Sequence, residues 1–359
     1  MTHVTCGAER KKHTNIVHHA PYIHTYISPA YTMAVNHRTF VDPNKKNVLR
    51  QWTGCAMASF FSLIYFIAPF YMLTAMLVLL FHYPNRTIAW IYVTPIFLSA
   101  LLPARASPWL LAQLAPMADY FDYEEIHETT PRNVWDEIQA GTHNFLIVKQ
   151  PHGVLSYTGM ISAVLAPPGI RGIVQTAVAD VLLVTPLLKH VMGIFGLTSA
   201  SKQNLIRKFQ KKGAAGTIVL YVGGLAELFL SSTSEETLYL KKRKGFIKLA
   251  LSQGIDIVPV YLFGNTSVLS VWTTGLLATL SRKLQMSLTY VWGRWLLPIP
   301  RPLKLLYISG QPLVLPHIPS PTQADIDKYH ALYCERVTQL YERYKERVPE
   351  YKHKKLVIV

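Results

Sequence analysis

Residues 53–81 contain no charged side chain, and they include Phe60, Phe61, Ile64, Tyr65, Phe66 and the apolar run 77–81. That stretch exceeds the ~20 residues an α-helix needs to cross a bilayer. A polar break at 82–87 follows, and a second uncharged run covers 87–104. Two such runs joined by a short break predict a membrane-embedded helical hairpin over 54–104, which returns the chain to its starting side. Lys45, Lys46 and Arg50 precede the first run, Arg105 follows the second, and Arg86 lies in the turn. The positive-inside rule then expects both ends in the cytosol. Pro69 and Pro95 fall inside the runs, so a wedge that dips without crossing is the alternative. A buried soluble helix pair is disfavoured by the length and uniform apolarity of both runs. Asn85-Arg86-Thr87 is a glycosylation sequon in form, but it sits against the expected membrane. The apolar stretch 107–117, with Trp109 as an interfacial anchor, is expected to lie along the surface.

Charge bounds the partners. The formal net charge of +16 points to an anionic one: a membrane surface, an anionic small molecule or nucleic acid. Residues 1–53 hold seven Lys/Arg against Glu9 and Asp42, with irregularly spaced histidines. They read as a basic, disordered cytosolic tail rather than a metal site. Cys6, Cys55 and Cys334 are too scattered for a disulfide framework or a zinc site.

From residue 105 to 359 the pattern alternates between strand and helix signals. Residues 144–149, 173–179, 217–222, 256–263 and 303–309 read as strands, and 201–212 and 244–253 as helices. This predicts an α/β fold, a mixed sheet with flanking helices. Thr322 and Asp325 form a capping box, followed by Ile326, Tyr329, Tyr333, Val337, Leu340 and Tyr344 on one helix face.

Four features of this domain carry chemistry. An apolar strand runs into Gln150-Pro151-His152-Gly153, which places an imidazole at the lip of a sheet, where it can act as a general base. A second strand breaks at Gly223-Gly224 and resumes at Glu227. Glycines there let backbone N–H groups approach an anion or oxyanion, and Glu227 could orient an imidazole. The basic cluster 241–244, with Arg243 and Lys244, suits phosphate groups or a lipid headgroup surface. It is short and lacks interleaved aromatics, which argues against nucleic acid. Finally, 257–281 is uncharged; its strand half ends at Gly264-Asn265, and the remainder could line a lipid tunnel.

Together these blocks resemble the type-2 diacylglycerol acyltransferase family, with its monoacylglycerol and wax-ester relatives, within the glycerolipid acyltransferase superfamily. Pro151-His152-Gly153 resembles the family's His-Pro-His-Gly core. Pro168-Gly169-Ile170-Arg171, Val222-Gly223-Gly224 with Glu227, and Arg243 to Phe246 follow in order, then Val258 to Gly264, Trp292-Gly293-Arg294-Trp295 and the segment 321–330. Two departures stand out. Gln150 replaces the family's first histidine, which leaves a single-base mechanism, and Asp122 replaces the proline after Tyr120-Phe121. The superfamily's His-x4-Asp spacing is absent as well, since Tyr157 holds that position.

The resemblance implies acyl transfer from acyl-CoA to the free hydroxyl of diacylglycerol, making triacylglycerol at the endoplasmic reticulum membrane and lipid droplets. Monoacylglycerol, a long-chain alcohol or a sterol is the alternative acceptor, and a catalytically silent lipid-binding homologue the alternative class. It implies His152 as base, with Glu227 orienting it and Gly223 and Gly224 supplying N–H groups. Arg171, Arg243 and Lys244 are expected to meet the CoA phosphates. Gln150, Pro151, Gly153 and Asn265 are expected to line the substrate site. Acyl-CoA enters as substrate; no cofactor and no metal is implied, and a homo-oligomer is left open.

Overall fold

A computed structural model describes residues 34–39, 47–82, 87–224, 227, 234–272 and 290–359. Most of the expected tail, the turn with Asn85 and Arg86, and 273–281 of the uncharged run lie outside the described residues.

The centre of the molecule is an eight-stranded mixed sheet in the order β1-β2-β11-β8-β3-β6-β4-β5. In chain order these are β1 (Val35–Thr39), β2 (Tyr123–Glu128), β3 (Phe145–Gln150), β4 (Gln175–Val178), β5 (Leu197–Ser199), β6 (Ile218–Tyr221), β8 (Asp256–Phe263) and β11 (Leu305–Ser309). Strands β8, β3, β6, β4 and β5 run parallel, while β11 is antiparallel to β8 and β1 to β2. β3 is buried at every position, as a central parallel strand covered on both faces must be. Lys149 and Gln150 therefore end up inside, on opposite faces.

Helices cover both faces. On one lie α5 (Val134–Ala140) and α6 (Tyr157–Val164), with Tyr157, Ile161 and Val164 in one apolar cluster. On the other lie α10 (Gly245–Gln253) and the long α11 (Gln323–Tyr344), whose Tyr333, Val337, Leu340 and Tyr341 pack against Tyr261 and Phe263. The capping box starts α11: Thr322 accepts from the Asp325 amide, and Asp325 accepts from that of Thr322. Short helices α7 (Asp180–Val184), α8 (Leu188–Gly193) and α9 (Lys202–Phe209) fill the crossovers. Two small ladders complete the fold. β7 (Glu235–Leu238) pairs in parallel with the final strand β12 (Lys355–Ile358), and β9 (Ser270–Val271) pairs with β10 (Val291–Trp292).

The N-terminal apolar runs form α1 (Val48–His82) and α2 (Thr87–Leu101). α1 runs through Pro69 and is long and apolar enough to cross a membrane by length and composition, which suggests membrane association. α2 differs from the expected second span: 15 residues rise about 22 Å, short of a hydrocarbon core of about 30 Å. The two helices meet through the Tyr71 and Tyr92 rings at 5.0 Å.

The hairpin is also not separate from the α/β domain. Ala58, Phe61 and Ala68 on α1 are buried; Phe61 meets Phe195 edge-on, and Tyr157 Oη donates to the Ala58 carbonyl at 2.8 Å. Gly54 is needed there, because a methyl would strike the Pro116 carbonyl of α4 (Pro116–Tyr120). The far end of α1 leaves Phe70, Leu73, Met76, Leu80 and Phe81 exposed. Between hairpin and sheet, α3 (Pro108–Gln113) buries Leu111 and exposes Trp109, as expected of a surface-lying segment. Within 1–53 the described part is not tail: Val35–Thr39 is an edge strand and α1 begins at Val48.

Candidate active site

The site begins where β3 stops. After Gln150 the chain turns through Pro151, His152 and Gly153, and two side chains from elsewhere in the sequence fix this turn by its main chain. The His152 amide donates to Glu227 Oε2 at 2.9 Å. The Asn265 side-chain amide donates to the Pro151 carbonyl at 3.0 Å and the His152 carbonyl at 2.6 Å. Asn265 Oδ1 in turn accepts from the Thr158 amide at the start of α6, 3.3 Å away. Gly153 sits at φ +63°, and an added Cβ would lie 2.6 Å from the Asn265 carbonyl, so both backbone sign and space require glycine.

The imidazole is oriented by its own neighbour. His152 Nδ1 lies 2.7 Å from the Gly153 carbonyl. A carbonyl only accepts, so Nδ1 carries the proton and Nε2 keeps its lone pair. The Tyr221 ring stands edge-on to the imidazole, with centroids 4.9 Å apart. Burial holds the His152 pKa below its ordinary 6.5, with the Gly153 carbonyl pulling the other way. The ring is therefore uncharged near pH 7.

Glu227 is buried, and its carboxylate accepts the His152 amide on one oxygen and the Tyr239 amide on the other, at 3.3 Å. Sequence reasoning aims this carboxylate at the ring; the structure puts it on the main chain, because β7 delivers Tyr239 to its far side. Burial pushes the Glu227 pKa up to about 7, against the pull of those two N–H donors. Gly223 lies directly under the carboxyl group, where a Cβ would fall 1.9 Å from it, while Gly224 takes φ +57° with open space beside it. Gly223 is thus needed to seat Glu227.

The remaining candidates divide. Gln150 is 1% exposed and faces α11, where its Oε1 accepts from Tyr333 Oη at 2.8 Å; among the described residues its Nε2 has no partner. It lies on the far face of the sheet from α6, under the same Tyr333 hydroxyl that feels the Glu227 charge. Arg243 stacks over Tyr239 at 5.1 Å, close enough to favour the Glu227 anion. Lys244 pairs with Asp327 of α11 at 2.7 Å, and Arg171 closes its own loop onto the Ala166 carbonyl. Neither reaches the His152 turn.

Some site residues are not evident from the sequence. Tyr221 directly precedes the block Val222-Gly223-Gly224, but its place beside His152 depends on Gly159 of α6, where a Cβ would lie 1.9 Å from the Tyr221 hydroxyl. Lys149, one residue before Gln150, is buried under α6 with its Nζ on Ser162 Oγ at 2.8 Å and above the Tyr307 ring. A second layer supports the clamp from the C-terminal side. The Gly264 amide donates to Tyr351 Oη at 3.0 Å, and Thr266 donates to the buried Glu236 of β7 at 3.0 Å. β12 closes over β7, and the Val359 carbonyl accepts from the Leu240 and Lys241 amides.

The sequence profile of the family described as diacylglycerol acyltransferase matches residues 79–359. The chain belongs to that family. Among curated relatives, human diacylglycerol O-acyltransferase 2-like protein 6 is 31% identical over 226 residues, covering 56% of this chain and 66% of that protein. Zebrafish (Danio rerio) diacylglycerol O-acyltransferase 2 is 29% identical over 262 residues, covering 64% and 67% respectively. Mouse (Mus musculus) acyl-CoA wax alcohol acyltransferase 2 is 29% identical over 239 residues, covering 60% and 70%. The match thus spans about two thirds of each relative's length. The crystal structure of the Thermotoga maritima 1-acyl-sn-glycerophosphate acyltransferase PlsC aligns at a TM-score of 0.40 and 13% identity, over 82% of this chain and 97% of that one.

Proposed function

We propose that this chain is an acyl-CoA-dependent O-acyltransferase that esterifies the free hydroxyl of diacylglycerol, with His152 as general base. The observation that carries this reading is the Nδ1 contact with the Gly153 carbonyl, which leaves Nε2 free to accept a proton. In the proposed reaction Nε2 takes the proton of the acceptor hydroxyl as its oxygen attacks the thioester carbonyl. The C–S bond then breaks, the ester forms, and CoA leaves as a thiol carrying that proton. Glu227 and Asn265 act as positioning residues, holding the turn by its main chain so that the imidazole does not wander. Amide groups near Gly224 are the candidate oxyanion donors, and Arg243 is the candidate phosphate contact of the basic cluster.

α1 would keep this site beside an acceptor dissolved in the bilayer, at the cytosolic face of the endoplasmic reticulum or on a lipid droplet. The wax alcohol acyltransferase among the relatives keeps a long-chain alcohol in play as acceptor. The test is one membrane preparation assayed with labelled acyl-CoA against diacylglycerol, monoacylglycerol, a long-chain alcohol and a sterol, beside His152→Ala. Triacylglycerol formation by the parent and its loss in a variant that still accumulates is the expected result. Full activity in His152→Ala would sink the role of His152, and a preference for another acceptor would overturn the diacylglycerol assignment.

A further inference from the structure

The block Trp292-Gly293-Arg294-Trp295 takes no part in the site above, yet it has the most unusual backbone of the described residues. Trp295 (φ 55°) and Leu296 (φ 60°) lie consecutively in the left-handed region, which large side chains avoid. The conformation throws both side chains outward: Trp295 is 63% exposed, Leu296 69% and Leu297 50%.

The turn beneath them is bonded into itself. The Gly293 amide donates to the Leu297 carbonyl and the Arg294 amide to that of Ile299, both at 2.7 Å; the Leu297 amide donates to the Arg294 carbonyl, and Tyr290 Oη to that of Leu296. Gly293 permits this crossing, since a Cβ there would lie 2.0 Å from the Ile299 carbonyl. A turn with an apolar tip whose flanking amides at Gly293, Arg294 and Leu297 are paired internally suits insertion into hydrocarbon, where no water satisfies the backbone.

Its location fits the same purpose. The turn packs on the middle of α1: Ser62 Oγ donates to the Pro298 carbonyl, and the Phe66 ring meets Tyr290 edge-on at 5.9 Å. Tyr290 stacks on Trp292, and Trp272 stands edge-on to it, so the base of the turn is an aromatic belt of the kind found at bilayer interfaces. The Arg294 guanidinium lies 4.2 Å above the Trp295 ring, where its charge can meet lipid phosphate while its stem follows the apolar tip.

We propose that the turn Arg294–Leu296, extended by Leu297, enters the same bilayer as α1 and makes a second membrane contact through Trp295, Leu296 and Leu297. The occupant of this surface is a lipid bilayer, and the proposal rests on α1 lying in the membrane. The two contacts together would fix the rotation of the α/β domain about α1, which a single helix leaves undetermined, and with it the face from which His152 meets lipid.

The test uses the full chain with Cys6, Cys55 and Cys334 replaced by serine and an NBD label at one new cysteine: Trp295→Cys, Leu77→Cys on α1, or Lys328→Cys on the outer face of α11. Each is reconstituted in phosphatidylcholine–phosphatidylserine vesicles containing acyl-chain doxyl lipids. Labels at 295 and 77 are expected to be quenched at least threefold more than the label at 328. If 77 is quenched and 295 matches 328, this proposal fails alone, whether the turn faces water or a second copy. If neither is quenched, the reading of α1 fails with it.

Discussion

The Glu227 carboxylate lies 2.9 Å from the amide nitrogen of His152, not from its ring. An acid placed this way fixes where the imidazole starts, whereas the Gly153 carbonyl fixes how it points. Glu227→Gln should leave one of the two amides, His152 or Tyr239, facing an NH2 group, at a cost of about 1–3 kcal/mol. We expect kcat to fall about 10- to 100-fold while the part of the acid limb set by His152, below the Glu227 titration near 7, stays where the parent has it. Steady-state kinetics across pH, with thermal unfolding as control, checks this. A shifted limb would mean that the carboxylate reaches the ring after all.

Asn265 separates donor from acceptor in the same way. Its NH2 group serves two carbonyls, so Asn265→Asp replaces the donor with a charge that repels both. Asn265→Asp should therefore be worse than Asn265→Ala, with activity reduced on the order of 100-fold or more, since a displacement near 1 Å costs about that much. Equal activity of the two variants in the same membrane-preparation assay would argue against the clamp.

The His152 pKa is lowered, so its neutral form persists to more acidic pH than in a free imidazole. The limb set by His152 should rise with pH through a midpoint below about 6.5, beneath the Glu227 titration near 7. The profile of kcat/KM at saturating acceptor reads this midpoint directly. A midpoint above the ordinary histidine value would contradict the burial described.

Burial also brings the Lys149 ammonium down to about 7. Its folded pKa lies below the unfolded one, so the unfolded state binds more protons between pH 7 and about 10.4, and the parent gains stability as pH rises through that window. Lys149→Met keeps the volume and removes the linkage. The variant should be the more stable protein at pH 7, by about 1–4 kcal/mol, with the gap closing toward pH 10. Melting temperatures of both proteins at several pH values provide the check.

The sequence carries the interior of this fold better than its margins. β3, β6, β8 and β11 are legible because each is an apolar run, and α11 because its capping box and its stripe agree. β1 and β7 are not: Val35-Asn-His-Arg-Thr39 and Glu235-Glu-Thr-Leu238 are polar segments that become strands through main-chain pairing with a neighbour, which no local pattern announces. The site divides along the same line. His152, Glu227, Gly153 and Asn265 are readable as residues that belong together, since each stands at a strand end. That Glu227 and Asn265 grip amides and carbonyls instead of side chains or substrate depends on which backbone groups meet, and composition is silent about that. Gln150 adjoins Pro151 in sequence, but the alternation along β3 turns its side chain toward Tyr333 of α11, which adjacency alone does not announce.

β12 gives the site an order of assembly. His152 and Asn265 leave the ribosome well before Lys355–Ile358, yet β7, which delivers the Tyr239 amide to Glu227, has β12 as its strand partner. While the chain is being made, α1 can already rest among lipids as the ladder that braces the base is still incomplete. The Tyr239 grip on Glu227 would thus come into register only as β12 pairs with β7.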